Sequence, residues 1–166
     1  MFYSKTDGQY IQENTPFTIN GVQYPANWLN YASPEEKESI GLEEVVVIGE
    51  RGNDTYYWVS ETLNGPELTY TNTPKELKDG ANNSVGLITT CINQVSATSY
   101  SLLLPTDWMV IRKVERNVDI PADTTKFRED VITECTRLIT AIGKVKTVEE
   151  LIEVMNSQNW PTTNTI

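Results

Sequence analysis

The sequence predicts an α+β protein: N-terminal antiparallel β hairpins with a short helix, then a C-terminal helical hairpin and a final short helix. Three observations predict it. Aromatic and β-branched runs broken by Gly, Asn and Asp turns fill residues 1–72. Apolar residues recur at alternating threes and fours from Leu77 to Leu102, and again from Phe127 to Ile142. Between them Leu102–Val131 mixes an apolar run, a large aromatic, two prolines and a charged rim, which reads as a hinge reversing the chain. A chain of 166 residues buries enough surface to need no staples. The expected organisation is a β-rich domain over 1–72, a helical module over 73–161 and a flexible tail over 162–166.

The elements follow in order. Asp7–Gly8 is a turn across which MFYSK and QYIQE pair as a hairpin. Phe17 and Ile19 precede Asn20–Gly21, and Val22 and Tyr24 follow; Asn-Gly supplies the positive φ angles of a type I′ turn. Ser33, Pro34 and Glu36 spell a capping box with proline in the first helical position, and Gly41 closes that helix. Glu44–Ile48 and Thr55–Ser60 read as antiparallel strands joined by GERGND, with a third strand from Glu67 to Thr71 after the Asn64–Gly65–Pro66 turn. Tyr57 and Val59 lie on one face of the second strand, Tyr56 and Trp58 on the other. Aromatic strands are mostly core, so burial on both faces is expected, with a face held for a partner as the alternative.

Thr73–Pro74–Lys75–Glu76 repeats the helix-start signature. The stripe Leu77, Ala81, Val85, Ile88, Ile92, Val95, Ser99 and Leu102 then predicts a long helix over 74–103. Gly80, Gly86 and many Asn, Ser and Thr residues oppose it, and a strand over 85–95 is the competing reading. Trp108–Ile111 reads as a short strand or extended turn, with Trp108 buried between the two long helices. Asp123 or Thr124 opens the second helix, whose stripe is Phe127, Val131, Cys135, Leu138 and Ile142, and Gly143 stops it. Val85, Ile88, Ile92 and Val95 are expected to face Phe127, Val131, Cys135 and Leu138. Thr147 and Glu150 then open a last helix.

Catalytic chemistry is poorly represented. The sequence has no histidine, which removes Ser-His-Asp triads, Cys-His dyads and His-ligated metal. Its glycines are scattered at turns and caps rather than gathered in a phosphate loop. Two cysteines so far apart make no zinc site. The neighbouring acids Glu43–Glu44, Glu129–Asp130 and Glu149–Glu150 read as solvated or capping groups. The expectation is a protein that is not an enzyme, with no catalytic residue, cofactor or metal. A net charge of −10 disfavours nucleic-acid phosphate and anionic membrane as partners. No leader-like segment opens the sequence and no apolar run approaches a membrane span. The expected location is therefore cytosolic, with Cys91 and Cys135 reduced.

Two stretches carry a resemblance. PTDWMVIRKVERNVDIPADTTKFREDV, followed by TVEELIEVM and WP, resembles the C-terminal module of bacteriophage tail-fibre assembly proteins. The matching positions are Thr106, Asp107, Trp108, Arg112, Pro121 and Arg128, the residues of the hinge. A departure lies in the loop after the arginine, where Arg116–Asn117–Val118 replaces the usual glycine. PFTINGVQYPANWL with SPEEKESIGLEEV is similar to the start of small tail-region proteins of marine phages. Together these cover about half the chain, and residues 50–100 match neither. The resemblance implies a chaperone-like, tail-associated protein-binding factor that assists fibre assembly or attachment. A permanent component of the tail or fibre is the alternative, and a fibre-associated glycan hydrolase ranks third. The implied partner is a tail-fibre or other tail protein, without nucleic acid or membrane, and a homo-oligomer stays open. The implied location is the host cytoplasm during assembly, or the virion tail. Aromatic anchors dominate protein interfaces, so Trp28, Tyr56 and Trp58 are the expected contact residues.

Overall fold

The structure, a computed structural model, describes residues 1–81 and 83–162. Apart from Thr162, the tail expected over 162–166 lies outside the described residues. Strands with two short helices among them precede the longer helices in an α+β fold, as the sequence predicts, and the chain divides into two compact units, Met1–Thr73 and Pro74–Ile166.

In the first unit, β1 (Phe2–Ser4) is the centre of an antiparallel sheet between β2 (Tyr10–Ile11) and β5 (Leu42–Glu44). Phe2 sits opposite both Ile11 and Glu44. The strands β3 (Phe17–Ile19) and β4 (Val22–Tyr24) form the second hairpin, with Asn20 and Gly21 at φ 51° and 77° as a type I′ turn demands. Alternation puts Phe17 and Ile19 on one face. They join Phe2, Ile11, Leu29 and Leu42 in a single core, with Tyr24, Trp28 and Ile40 packed against it. Leu29 arrives on α1 (Trp28–Tyr31). The helix α2 (Pro34–Ser39) starts where the sequence says: the Ser33 hydroxyl accepts from the Glu36 N–H, and the Glu36 carboxylate accepts from the Ser33 N–H at 2.7 Å.

The second sheet corrects the expected strand pairing. Its order is β6 (Val46–Ile48), β8 (Glu67–Pro74), β7 (Tyr57–Asn64), and β6 runs parallel to β8 instead of antiparallel to β7. Only Gly65–Pro66 joins β7 to β8, a link that permits antiparallel pairing alone. The cause lies in the 49–56 loop, whose GERGND segment is expected to join the two strands as a turn. The Asn72 side chain accepts from the Gly52 N–H at 2.9 Å and donates to the Glu50 carbonyl at 2.8 Å. That clamp ties the loop to β8, so the chain crosses to the far side before β7 begins.

In the second unit, α3 (Leu87–Leu103) packs on α5 (Ala122–Ile142), and α5 on α6 (Val148–Asn156). Val95, Val131, Leu138, Ile142 and Leu151 are fully buried. Cys91 and Cys135 are free thiols, and burial pushes the Cys91 thiol up. The helix expected over 74–103 begins only at Leu87. Its first free N–H groups, those of Leu87 and Ile88, bond the Glu76 and Leu77 carbonyls, and Asp79 accepts from the Gly86 N–H at 2.7 Å and from the Thr89 hydroxyl. The 76–79 backbone thus folds over the helix start and caps it. A Cβ on Gly86 would stand 2.4 Å from the Lys78 carbonyl carbon, so glycine is required there. The buried ridge of α3 is Leu87, Cys91, Val95 and Ser99; Ile88 and Ile92 are half-buried at its margin, and Val85 is exposed ahead of the helix. On α5, Phe127, Val131 and Leu138 face inward as expected and Cys135 is half-buried.

Candidate protein-docking surfaces

The hinge is built around one arginine. A 3-10 turn, Leu104–Thr106, carrying Pro105, follows the end of α3 at Leu103 and leads directly into α4 (Asp107–Arg116). Arg128, on the first turns of α5, donates to the Leu103 carbonyl at 3.0 Å and to the Thr106 hydroxyl at 2.6 Å, and its guanidinium pairs with Asp107 at 2.9 Å. The Thr106 hydroxyl donates in turn to the Leu103 carbonyl. A cation thereby meets the carbonyl end of α3, while Asp107 occupies the first turn of α4; both follow the helix dipoles. Arg112 stacks over the Trp108 ring at 4.8 Å, one helical turn away. Its Nε is buried without a hydrogen-bond partner. Pro121 is the N-cap residue of α5. Thr106, Asp107 and Arg128 therefore form one bonded cluster, Trp108 and Arg112 a second contact, and Pro121 starts the helix that carries Arg128.

Two expectations for this stretch are overturned. Trp108–Ile111 is helical, and Trp108 is 52% exposed rather than buried between the long helices. A helix turns about 100° per residue, so seating Met109 inward swings Trp108 out. Trp108 joins Ile111 and Val114 on α4, and Leu104 on the preceding 3-10 turn, in an exposed apolar stripe. The sequence contains that stripe at helical spacing, but the apolar tetrad Trp108–Met109–Val110–Ile111 equally suits a buried strand.

The β6–β8–β7 sheet is the second surface. Leu68 is the one residue of these three strands that is buried. Val46, Val47 and Ile48 are 60%, 54% and 43% exposed, so both faces of β6 meet solvent. Trp58 is 67% exposed, which corrects the expected burial of both faces of that strand; Tyr57 and Val59 on the other face are half-buried, as is Tyr56. Glu44, Glu50, Glu61 and Glu67 stand around the sheet, and Arg51, in the loop between β6 and β7, is held bidentate by Asp54 and lies near Glu61. Trp28, the third expected contact residue, lies elsewhere. Its ring packs edge-on to Tyr24 at 4.9 Å and to Phe17 at 6.0 Å, as part of the first core.

Among the described residues no group of three His, Cys, Asp or Glu side chains converges to hold a metal. Among the described residues the one buried carboxylate, Glu134, is fully engaged: Arg137 holds both its oxygens at 2.7 Å and the Asn159 N–H adds a bond at 2.8 Å. The Arg137 hydrogen bonds hold its carboxyl below the usual range, against the opposing pull of burial, and the Asn159 N–H helps. Glu134 thereby staples the chain after α6 to α5, a role no motif announced. Among the described residues no helix is long and apolar enough to cross a membrane. No protein-family model matches the chain, and no curated protein and no solved structure matches it either.

Proposed function

We propose that the chain is a bacteriophage tail-associated binding factor that assists fibre assembly or attachment, with a binding rather than a catalytic role. Its partner is a tail-fibre polypeptide, engaged through the β6–β8–β7 sheet with Trp58 as the central anchor. The observation that supports this reading is the sheet itself: three strands bury only Leu68 and leave Val46, Val47, Ile48 and Trp58 in solvent. Exposed aromatic and β-branched side chains grouped on one small sheet are the raw material of an interface. The phage context comes from the hinge and N-terminal resemblances.

The test is co-expression with the fibre gene of the same genome, scoring soluble fibre and co-purification. The expected result is a complex that Trp58→Ala weakens by about 2 kcal/mol or more. Fibre yield unchanged, with no complex, overturns it. A permanent place in the tail is the second reading, favoured by the same exposed residues, since an uncovered apolar edge is a hazard for a protein that stays free. Stoichiometric recovery from mature particles selects it.

A further inference from the structure

We propose that the β6–β8–β7 sheet takes a basic amphipathic helix of its fibre partner on one face, the face that carries Val46, Ile48 and Trp58. The inference rests on the proposed binding role of this sheet and names the face engaged and the chemistry of what docks there.

The two faces of the sheet differ. Val46 pairs with Glu67 and Ile48 with Thr69. The two-residue link Gly65–Pro66 sets Asn64 against Glu67, so Thr62, Ser60 and Trp58 share a face with Val46 and Ile48, and Thr71 lies among them. All six are exposed. Asn72 and Glu61 fall on the other face with Leu68. There Asn72 bonds Gly52 and Glu50, and Arg51 lies near Glu61, so the 49–56 loop crosses that face and leaves the first one bare. The bare face continues a covered one. The Val45 N–H bonds the Met1 carbonyl and the Val46 N–H bonds the Pro66 carbonyl, in opposite directions, so residues 42–48 run as one strand through both sheets. Leu42 therefore points to the same side as Val46 and Ile48. Over Leu42 the β3–β4 hairpin and α1 complete a core; past Val45 that layer stops.

Geometry and charge select the occupant. A segment lying on a face receives no main-chain bonds from the sheet, so its backbone must be satisfied within itself, which a helix does alone. Ile48 and Trp58 stand two strands and two side-chain rows apart, about 17 Å. A helix covers that distance in about eleven residues, which return to nearly the same side. Val46 lies about 7 Å beyond Ile48, close to one further turn. One apolar stripe therefore meets all three. Residues Met1–Thr73 contain eleven acids, opposed by Lys5, Lys37 and Arg51. Each of these cations is engaged: Lys5 pairs with Glu43, Arg51 with Asp54, and Lys37 lies over the Phe2 ring. Glu67 lies within the bare face and Glu44 at its margin. Both are exposed, and among the described residues no ion pair engages either. Lysines or arginines flanking the apolar stripe of the helix meet these acids, whereas a second copy of the face brings the same acids together.

The probe is an amphipathic helical peptide of Leu, Ala and Lys, about five turns long, with its Lys→Glu analogue as control. Each is titrated into the full chain and followed by amide chemical shifts. The expected result is binding of the Lys helix at least tenfold tighter than the control, weakened by salt, with shifts centred on Val46, Ile48, Trp58 and Thr71. Thr71→Arg puts a cation in the middle of the bare face and should weaken binding at least tenfold. Leu63→Arg adds the same charge on the other face and should change it less than about twofold. Both positions are exposed, so the fold tolerates either change. Equal affinity for the two helices overturns the proposal, as does equal weakening by Thr71→Arg and Leu63→Arg. A fibre complex that survives Thr71→Arg overturns it too. If the fibre binds and the Lys helix does not, the tail-fibre reading stands and a basic helix on this face is wrong. If the Lys helix binds and the fibre does not, the docking chemistry stands and the tail-fibre reading falls. If neither binds, both fall.

Discussion

The first unit contains two three-stranded sheets, and they solve the problem of stability differently. The β2–β1–β5 sheet lies against the β3–β4 hairpin and α1, and every element contributes to one core of Phe2, Ile11, Phe17, Ile19, Leu29 and Leu42. The β6–β8–β7 sheet has two longer strands, β7 and β8, and a comparable supply of apolar residues, yet buries Leu68 alone. A small sheet gains stability only when a face is covered. The difference teaches that apolar content does not decide burial; the presence of a second layer does. The second unit repeats the contrast, with α3, α5 and α6 sharing a core while the stripe on α4 stays open.

The contrast is sharpest under truncation. Ile19→Ala, at a fully buried position, should cost about 3 kcal/mol by urea denaturation. Val46→Ala should shift stability by under about 0.5 kcal/mol while weakening the partner complex. Similar costs for the two would break the comparison. In the second unit Arg128→Ala should cost about 2 kcal/mol, because the Leu103 carbonyl, Thr106 and Asp107 all lose a partner. Arg128→Lys should recover little of it, since one ammonium does not reproduce the fork.

Glu134→Gln should cost about 1 kcal/mol at neutral pH, Arg137 being half exposed to solvent. The folded carboxyl titrates below its ordinary range, so its contribution is present at neutral pH and lost as the pH falls through the folded value. Native and variant stabilities should therefore converge in acid, and a gap that persists below the carboxylate range would refute the charged Glu134–Arg137 staple. The smallest stability effect is expected of Trp58→Ala, under about 0.5 kcal/mol for so exposed a ring. Trp108→Ala, exposed but stacked on Arg112, should cost about 1 kcal/mol. A loss of about 3 kcal/mol at Trp108 would mean the α4 face is covered.

Local chemistry determined much of this protein by itself. The Asn20–Gly21 turn, the Ser33–Glu36 capping box, the α5 stripe and the Thr147 cap of α6 all form where the sequence places them. Each depends on residues within a turn or two of one another. Tertiary contacts decided the rest. Asn72 redirects the 49–56 loop, so the strands expected over 44–48 and 55–60, neighbours in sequence, flank β8 instead of pairing. The 76–79 backbone caps α3 at Gly86 and cancels the first part of an otherwise regular stripe. Arg128 sets where α3 breaks and α4 begins, and hence that Met109 enters the core while Trp108 does not. In the candidate site, the residue types were legible but not their exposure. Whether a valine or a tryptophan meets solvent depends on the layer opposite it, and periodicity along one strand or helix carries no record of that layer.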